Sequence, residues 1–174
     1  GFTEEESIIV IKKMSEIGVD LIEISGGNYE NSKMLSERGD NEKVFFIDYA
    51  KKVLPLIDTS IVVTGGFKKL ETMQKAIEKE KISMIGIARP IVIYPNLPNE
   101  IKEGHISSVS LERLTTGFRG LDKKLVGLIG LSYYEQQIRR LAENKPVKIH
   151  RNAWSPLLFT ILYHGKNALK TRRR

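Results

Sequence analysis

The chain of 174 residues contains no cysteine. This absence excludes disulfides, metal sites built from thiolates and a cysteine nucleophile. It is compatible with a reducing compartment, and we expect a cytoplasmic location. Long apolar runs are also absent, since no segment approaches the roughly 20 consecutive apolar residues that a membrane span requires. With 41% hydrophobic and 28% charged residues, the composition predicts a single soluble globular domain.

Histidine is scarce, with three in the chain. His105, His150 and His164 follow the predicted strands and show no paired spacing, so we expect no catalytic histidine. Asp20 and Glu23 lie near a predicted strand, but a separation of three residues puts them on opposite faces of it. Neither acid–base catalysis by paired carboxylates nor a metal site is therefore predicted.

Positive charge is concentrated towards the C-terminal end. The net charge is +7, yet residues 1–138 carry eighteen basic and twenty acidic side chains. From Arg139 onward, ten Lys or Arg stand against the single Glu143. Because the main body is nearly neutral, the overall basicity does not predict nucleic-acid binding.

Helical and strand patterns alternate through the first ninety residues. Thr3-Glu4-Glu5-Glu6 is a capping box that predicts the start of a helix, and Gly18 can end that helix in the left-handed conformation. Strands are predicted over 19–25, 60–64 and 83–88, with helices over 45–54 and 70–77 between them. Such alternation is typical of a parallel sheet with helical crossovers. The polar segment 28–43 has the composition of a ligand-side loop, in which Tyr29 is a weak candidate for substrate contact.

Beyond Pro90 the pattern is helical. A long helix is predicted over 121–141, with apolar residues at Leu125, Leu128, Leu131 and Ile138. A last helix is predicted to begin with Ser155 as its N-cap. Its stripe of Leu157, Leu158, Ile161 and Leu162 stands beside a basic terminus. Packing on the rest of the fold is the preferred interpretation of this stripe, and peripheral contact with an anionic membrane is the second.

The ends of the last two strands carry groups that suit a phosphate. Gly65-Gly66 follows one strand, and a double glycine lets backbone amides approach an anion because no side chain blocks them. Ala88 and Arg89 end the next strand, where the arginine fork can hold two phosphate oxygens. Neighbouring strand ends of this kind bind phosphate in β/α barrels. The alternatives are plain turn glycines and, for Arg89, a surface ion pair.

Motifs over residues 1 to about 104 resemble the C-terminal half of the Old Yellow Enzyme family of FMN-dependent NAD(P)H oxidoreductases, also called ene-reductases. The motifs are Gly1–Ser7, Gly18–Gly27, Val63–Phe67, Ile85–Pro90 and Pro95–Asn99 with Glu103-Gly104. The resemblance implies an α/β fold that is a partial TIM (β/α)8 barrel. Its last three strands with their helices would occupy 1–104, and a helical, basic C-terminal extension would occupy 105–174.

The resemblance also implies a cofactor site. Non-covalent FMN would have its phosphate held by Gly65, Gly66, Ala88 and Arg89. NADH or NADPH would reduce the flavin, which would pass hydride to an activated alkene or another small-molecule substrate. The family's substrate-binding pair and proton-donating tyrosine lie in the first half of the barrel, so no catalytic residue is implied in this chain.

The length of the chain conflicts with a whole barrel, which needs roughly 250 residues. Because the chain starts at Gly1 without methionine, we expect that the natural N-terminus is missing and that these residues alone show little ene-reductase activity. The missing N-terminal barrel half or a partner chain would cover the sheet. Two alternatives remain open: a non-catalytic phosphate-binding or assembly module, and a flavin-free phosphate-binding barrel enzyme.

Overall fold

The computed structural model describes residues 3–26, 44–111, 113–149 and 152–165. These residues form two compact units. The sheet unit comprises 3–26, 44–88 and 97–109. The helical unit comprises 89–96, 110–111, 113–149 and 152–165. The domain boundary predicted at residue 104 stays a prediction, as do the loop interpretation of 28–43 and the possible contact of Tyr29, which lie outside the described residues.

Helices and strands alternate through the sheet unit, as predicted. In chain order, the elements are α1 (Glu4–Glu16), β1 (Leu21–Ile24), α2 (Ile47–Val53) with a 3-10 turn (Leu54–Leu56), β2 (Ser60–Thr64), α3 (Leu70–Glu78), β3 (Met84–Gly86), α4 (Arg89–Ile93), α5 (Leu97–Lys102), α6 (Arg119–Ala142) and α7 (Trp154–His164). The three strands are parallel and lie in the order β1-β2-β3. The predicted α/β class with a small parallel sheet is therefore confirmed.

Both ends of α1 follow the local signals in the sequence. Thr3 Oγ1 accepts from the amide of Glu6 at 3.2 Å, and the Glu6 carboxylate accepts from the amide of Thr3 at 2.8 Å. At the other end Gly18 has a φ of +85°. The amides of Gly18 and Val19 donate to the carbonyls of Ser15 and Met14 at 3.0 and 3.2 Å, which is the Schellman arrangement. The predicted cap and stop of this helix are confirmed.

One face of the sheet is buried under the helices of the sheet unit. The fully buried residues of this core are Ile24, Ala50, Val53, Ile61, Val63, Phe67, Met73, Ala76 and Ile82. Ile22 and Ile24 alternate with exposed Leu21 and Glu23 along β1, as the period of two in a strand requires. Residues of α2 and α3 therefore form one core with the inward residues of β1 and β2.

The opposite face of the sheet is open. Leu21 of β1 and Met84 of β3 are each about half exposed, at 45% and 54%. Between them, Val62 is in register with Glu23 on one side and Met84 on the other, and it is buried. Parallel sheets are normally covered on both faces. Within the described residues of the sheet unit, the helices contribute to a core on one face of this sheet.

The helical unit is built around α6 and α7. Its core consists of Ile93, Leu114, Ile129, Tyr133, Ala153 and Leu157. Buried polar groups in it are paired. The Ser132 and Thr160 hydroxyls hydrogen bond to each other, and Thr160 also donates to the carbonyl of Pro156 at 3.0 Å.

One detail of the predicted helices is wrong. Ser155 is not the cap of α7, since the helix already includes Trp154 and the N-cap is Ala153. The side chain of Asn152 accepts from the amide of Trp154 at 2.8 Å instead. The long helix predicted over 121–141 is confirmed as α6. Leu131 and Ile138 of α6 are about half exposed, because the packed side of α6 runs through Ile129, Ser132 and Tyr133 and the helix turns these two residues away from it.

Candidate functional site

The carboxyl end of β2 is a backbone surface without side chains. Gly65 and Gly66 follow Thr64 with φ angles of +127° and +89°, a region in which residues with a Cβ atom are strained. The carbonyl of Gly65 accepts from the amide of Phe45 at 3.3 Å. Among the described residues, the amides of Gly65 and Gly66 donate none of the backbone hydrogen bonds formed outside the helices and the sheet. This turn therefore has a conformation that favours glycine, and neither residue has a side chain beside its amide.

Thr64 and Gly86 meet across the ends of β2 and β3. The two residues are in register, and a Cβ atom on Gly86 would overlap Thr64 Oγ1 and lie 2.8 Å from Thr64 Cβ. Thr64 Oγ1 is buried and is the one such side-chain atom without a hydrogen-bond partner among the described residues. An unpaired buried hydroxyl is unusual, because leaving such a group unsatisfied costs free energy.

The segment after the glycines is held by a second stretch of the sheet unit. The amide of Leu70 donates to the carbonyl of Ser107 at 2.8 Å, and the amide of Val109 donates to the carbonyl of Lys68 at 2.7 Å. Because α3 begins at Leu70, its first amide is already occupied.

Ala88 and Arg89 follow β3 in the chain. Gly65, Gly66 and Ala88 belong to the sheet unit. They follow the carboxyl ends of two neighbouring strands, because Thr64 and Gly86 are in register. Ala88 is exposed. Arg89 is the first residue of α4 and belongs to the helical unit. A phosphate-binding role for these four residues stays a prediction.

Arg89 is half-buried and takes part in none of the ion pairs formed among the described residues. The surface ion pair considered for it is therefore not found in this part of the chain. Burial raises the pKa of the Tyr134 hydroxyl, and the positive charge of nearby Arg89 opposes part of that rise. The guanidinium thus lies near a tyrosine of α6.

A polar cleft of about 480 Å³ lies at the other end of the strands. It is lined by residues that precede β1 and β2, among them Ser15, Asp20, Asp58 and Thr59. The Thr59 hydroxyl lies 2.8 Å from Ser15 Oγ and 3.1 Å from the carbonyl of Val19. The sequence offered no signal for this cleft, because its residues come together only when the strands pair. The Ser15 and Thr59 hydroxyls of the cleft already form a hydrogen bond with each other.

Comparison with known proteins finds relatives among flavin oxidoreductases. The chain is 39% identical over 110 residues to the NADH-dependent flavin oxidoreductase iccE of Talaromyces variabilis, a match covering 58% of this chain and 25% of that protein. It is 35% identical over 104 residues to the NADH-dependent flavin oxidoreductase iliE of Hypocrea jecorina, covering 55% and 26%. An NADH oxidase of Thermoanaerobacter brockii is 24% identical over 109 residues, covering 63% and 17%.

These relatives are named as NADH-dependent flavin oxidoreductases and as an NADH oxidase. The chain spans about a quarter or less of the length of each of them. No protein-family model matches it. The names of the relatives agree with the predicted flavin and nicotinamide chemistry at the level of the enzyme class.

Proposed function

We propose that this chain carries the FMN phosphate-binding end of a flavin oxidoreductase of the Old Yellow Enzyme type. Support comes from the flavin oxidoreductase names of its relatives, combined with the glycine turn at the end of β2. The amides of Gly65, Gly66 and Ala88 and the guanidinium of Arg89 would hold the phosphate. These groups suit a phosphate, because the two glycines have no side chain beside their amides and the Arg89 guanidinium forms no ion pair among the described residues.

The bound cofactor supplies the redox chemistry in this proposal. FMN held in this way would supply hydride transfer between NADH or NADPH and an activated alkene or a similar small-molecule acceptor. The chain's own residues would anchor one end of the cofactor and so fix its position. They would not bind the substrate or move its proton.

The open sheet face supports the second part of the proposal, that the sheet is part of a (β/α)8 barrel. Leu21 and Met84 present exposed apolar side chains on a parallel sheet whose core, within the described residues of the sheet unit, lies on the other face. Further barrel strands, in a longer protein or in a partner chain, would bury these side chains and pair with the outer edges of β1 and β3.

Flavin titration tests the phosphate site. The purified chain is titrated with FMN and with riboflavin, which lacks the phosphate, and binding is followed by flavin fluorescence. FMN is expected to bind about tenfold more tightly than riboflavin, because charge-assisted hydrogen bonds to the phosphate contribute a few kcal/mol at most. Arg89→Gln should remove most of this preference, and Gly65→Ala should weaken it by straining the turn.

Arg119→Gln is the matched control, since Arg119 is also the first residue of a helix and is exposed. It should leave the preference for FMN unchanged. Equal binding of FMN and riboflavin by the unaltered chain would refute the phosphate site. Turnover of cyclohexenone by this chain with FMN and NADPH would refute the accompanying proposal that the catalytic residues lie elsewhere.

A further inference from the structure

A row of exposed apolar side chains runs along the helical unit. It consists of Phe118, Trp154, Leu158 and Leu162, which are 66%, 44%, 58% and 80% exposed, and we refer to it as the apolar stripe. The three residues of α7 are spaced by four and therefore share one face of the helix. Phe118 extends this face, since its ring meets the Trp154 ring edge-on with centroids 6.5 Å apart.

The apolar stripe is not the side by which α7 joins its core. Leu157 and Thr160 face that core and are buried, with Thr160 bonded to Ser132 of α6. Tyr163 is exposed but carries the Arg139 guanidinium over its ring, 4.5 Å from the centroid. Packing within the helical unit therefore accounts for the buried apolar residues of α7, such as Leu157 and Phe159. Leu158 and Leu162 stay in solvent although burying a leucine is worth about 1.5–3 kcal/mol.

The sequence that follows the stripe is strongly basic. Arg119 is exposed beside Phe118 at one end. At the other end the sequence continues from α7 into Lys166, Lys170 and Arg172–Arg174. Over residues 139–174 as a whole, ten Lys or Arg accompany a single glutamate. An apolar helix face flanked by cations is the pattern of a helix that lies in the headgroup region of a bilayer.

We propose that the apolar stripe docks this protein on an anionic lipid surface. Leu158 and Leu162 would enter the acyl boundary, and Phe118 and Trp154 would lie at the headgroup level that aromatic rings favour. The basic residues would contact the anionic headgroups. A second copy of the chain is a poorer occupant, because facing stripes would bring two strongly basic segments together. Within the described residues no helix is long and apolar enough to cross a bilayer, and an interfacial helix need not be.

Flotation with vesicles tests this proposal. The protein is mixed with phosphatidylcholine vesicles, or with vesicles that also contain phosphatidylglycerol, and floated through a density gradient at low salt. Binding is expected only with the anionic vesicles. The double variant L158Q/L162Q should reduce the partition coefficient about tenfold or more, because both acyl contacts are lost. R172Q/R173Q/R174Q should reduce it about fivefold for each charge removed.

The matched control is I9Q/I17Q, which alters two residues of the sheet unit that are equally exposed at 67% and 70%. It should bind anionic vesicles as the unaltered protein does. Absence of flotation, or binding that L158Q/L162Q leaves intact, would overturn the proposal. A dimer seen by analytical ultracentrifugation and lost in L158Q/L162Q, without vesicle binding, would assign the stripe to a second copy instead. Circular dichroism would confirm that each variant is folded.

Discussion

Thr64 and Gly86 share one small space at the carboxyl end of the sheet, and the absence of a side chain on Gly86 is what lets the Thr64 hydroxyl lie there. The requirement for glycine at this point is steric. Thr64 Cα would be 3.2 Å and Thr64 Cβ 2.8 Å from an added methyl group, so relief of the clash requires movement of the β2 backbone and not merely of a side-chain tip.

Gly86→Ala is therefore expected to destabilise the protein. Overpacking of this kind costs about 1–3 kcal/mol, and the loss should appear in the free energy of unfolding measured with urea. Gly120→Ala is the control, because a Cβ at Gly120 meets no atom within 4 Å and lies in the first turn of α6. That variant should be neutral or slightly stabilising. Equal stability of G86A and the unaltered protein would show that the two strands are not in the observed register.

Gly18 is required for a different reason. A Cβ there meets nothing within 4 Å, but the φ of +85° is one that residues with side chains seldom adopt. Gly18→Ala should cost about 1 kcal/mol of unfolding free energy, whereas Gly18→Asn should cost less, since asparagine tolerates the left-handed region. Urea denaturation of both variants checks the order. If alanine were tolerated as well as asparagine, helix α1 would have to end in another way.

Thr64→Val tests the unpaired hydroxyl. Valine has nearly the shape of threonine, so the substitution removes a buried polar atom without a partner and leaves the packing in place. The free energy of unfolding of the ligand-free protein is expected to rise by about 1 kcal/mol. Thr64→Ser keeps the hydroxyl and should show no such gain. A loss of stability in T64V would mean that the hydroxyl is paired in solution.

Local rules predicted the sheet unit well. The capping box at Thr3, the stop at Gly18 and the strand over 60–64 each depend on neighbours in the sequence, and each is confirmed. The burial of Thr64 against Gly86 was not predictable in this way. It depends on the register of two strands that are twenty-two residues apart, and a pattern of apolar residues does not specify that register.

Periodicity predicted helices α3 and α6, but it does not specify which of their apolar residues are buried. Leu131 and Ile138 of α6 and Ile77 of α3 are about half exposed. At α7, Ser155 followed by proline has the composition of a helix start. The side chain of Asn152 accepts from the amide of Trp154, and the helix begins one residue before Ser155. Competing polar residues before one helix leave its first residue ambiguous by one or two positions.

Asp122 provides a prediction that depends on pH. Its carboxylate accepts from Thr115 Oγ1 and Thr116 Oγ1, both at 2.6 Å, and from the amide of Thr116 at 2.8 Å. These bonds lower the pKa of Asp122 from its ordinary 3.8. The charged form is thus favoured in the folded state, so its contribution to stability is present above about pH 4 and is lost as pH falls through the folded pKa.

Asp122→Asn removes the charge that these donors stabilise. At neutral pH it should lower the free energy of unfolding by about 1–2 kcal/mol, because two hydroxyls and an amide lose a charged acceptor. As pH falls through the folded pKa of Asp122, the difference from the unaltered protein should shrink, since Asp122 itself becomes neutral. Urea unfolding from neutral to acidic pH measures this difference in the free energy of unfolding. Asp58→Asn, at an exposed aspartate without such donors among the described residues, should show no such pH-dependent difference. A difference for D122N that stayed constant with pH would contradict the assignment.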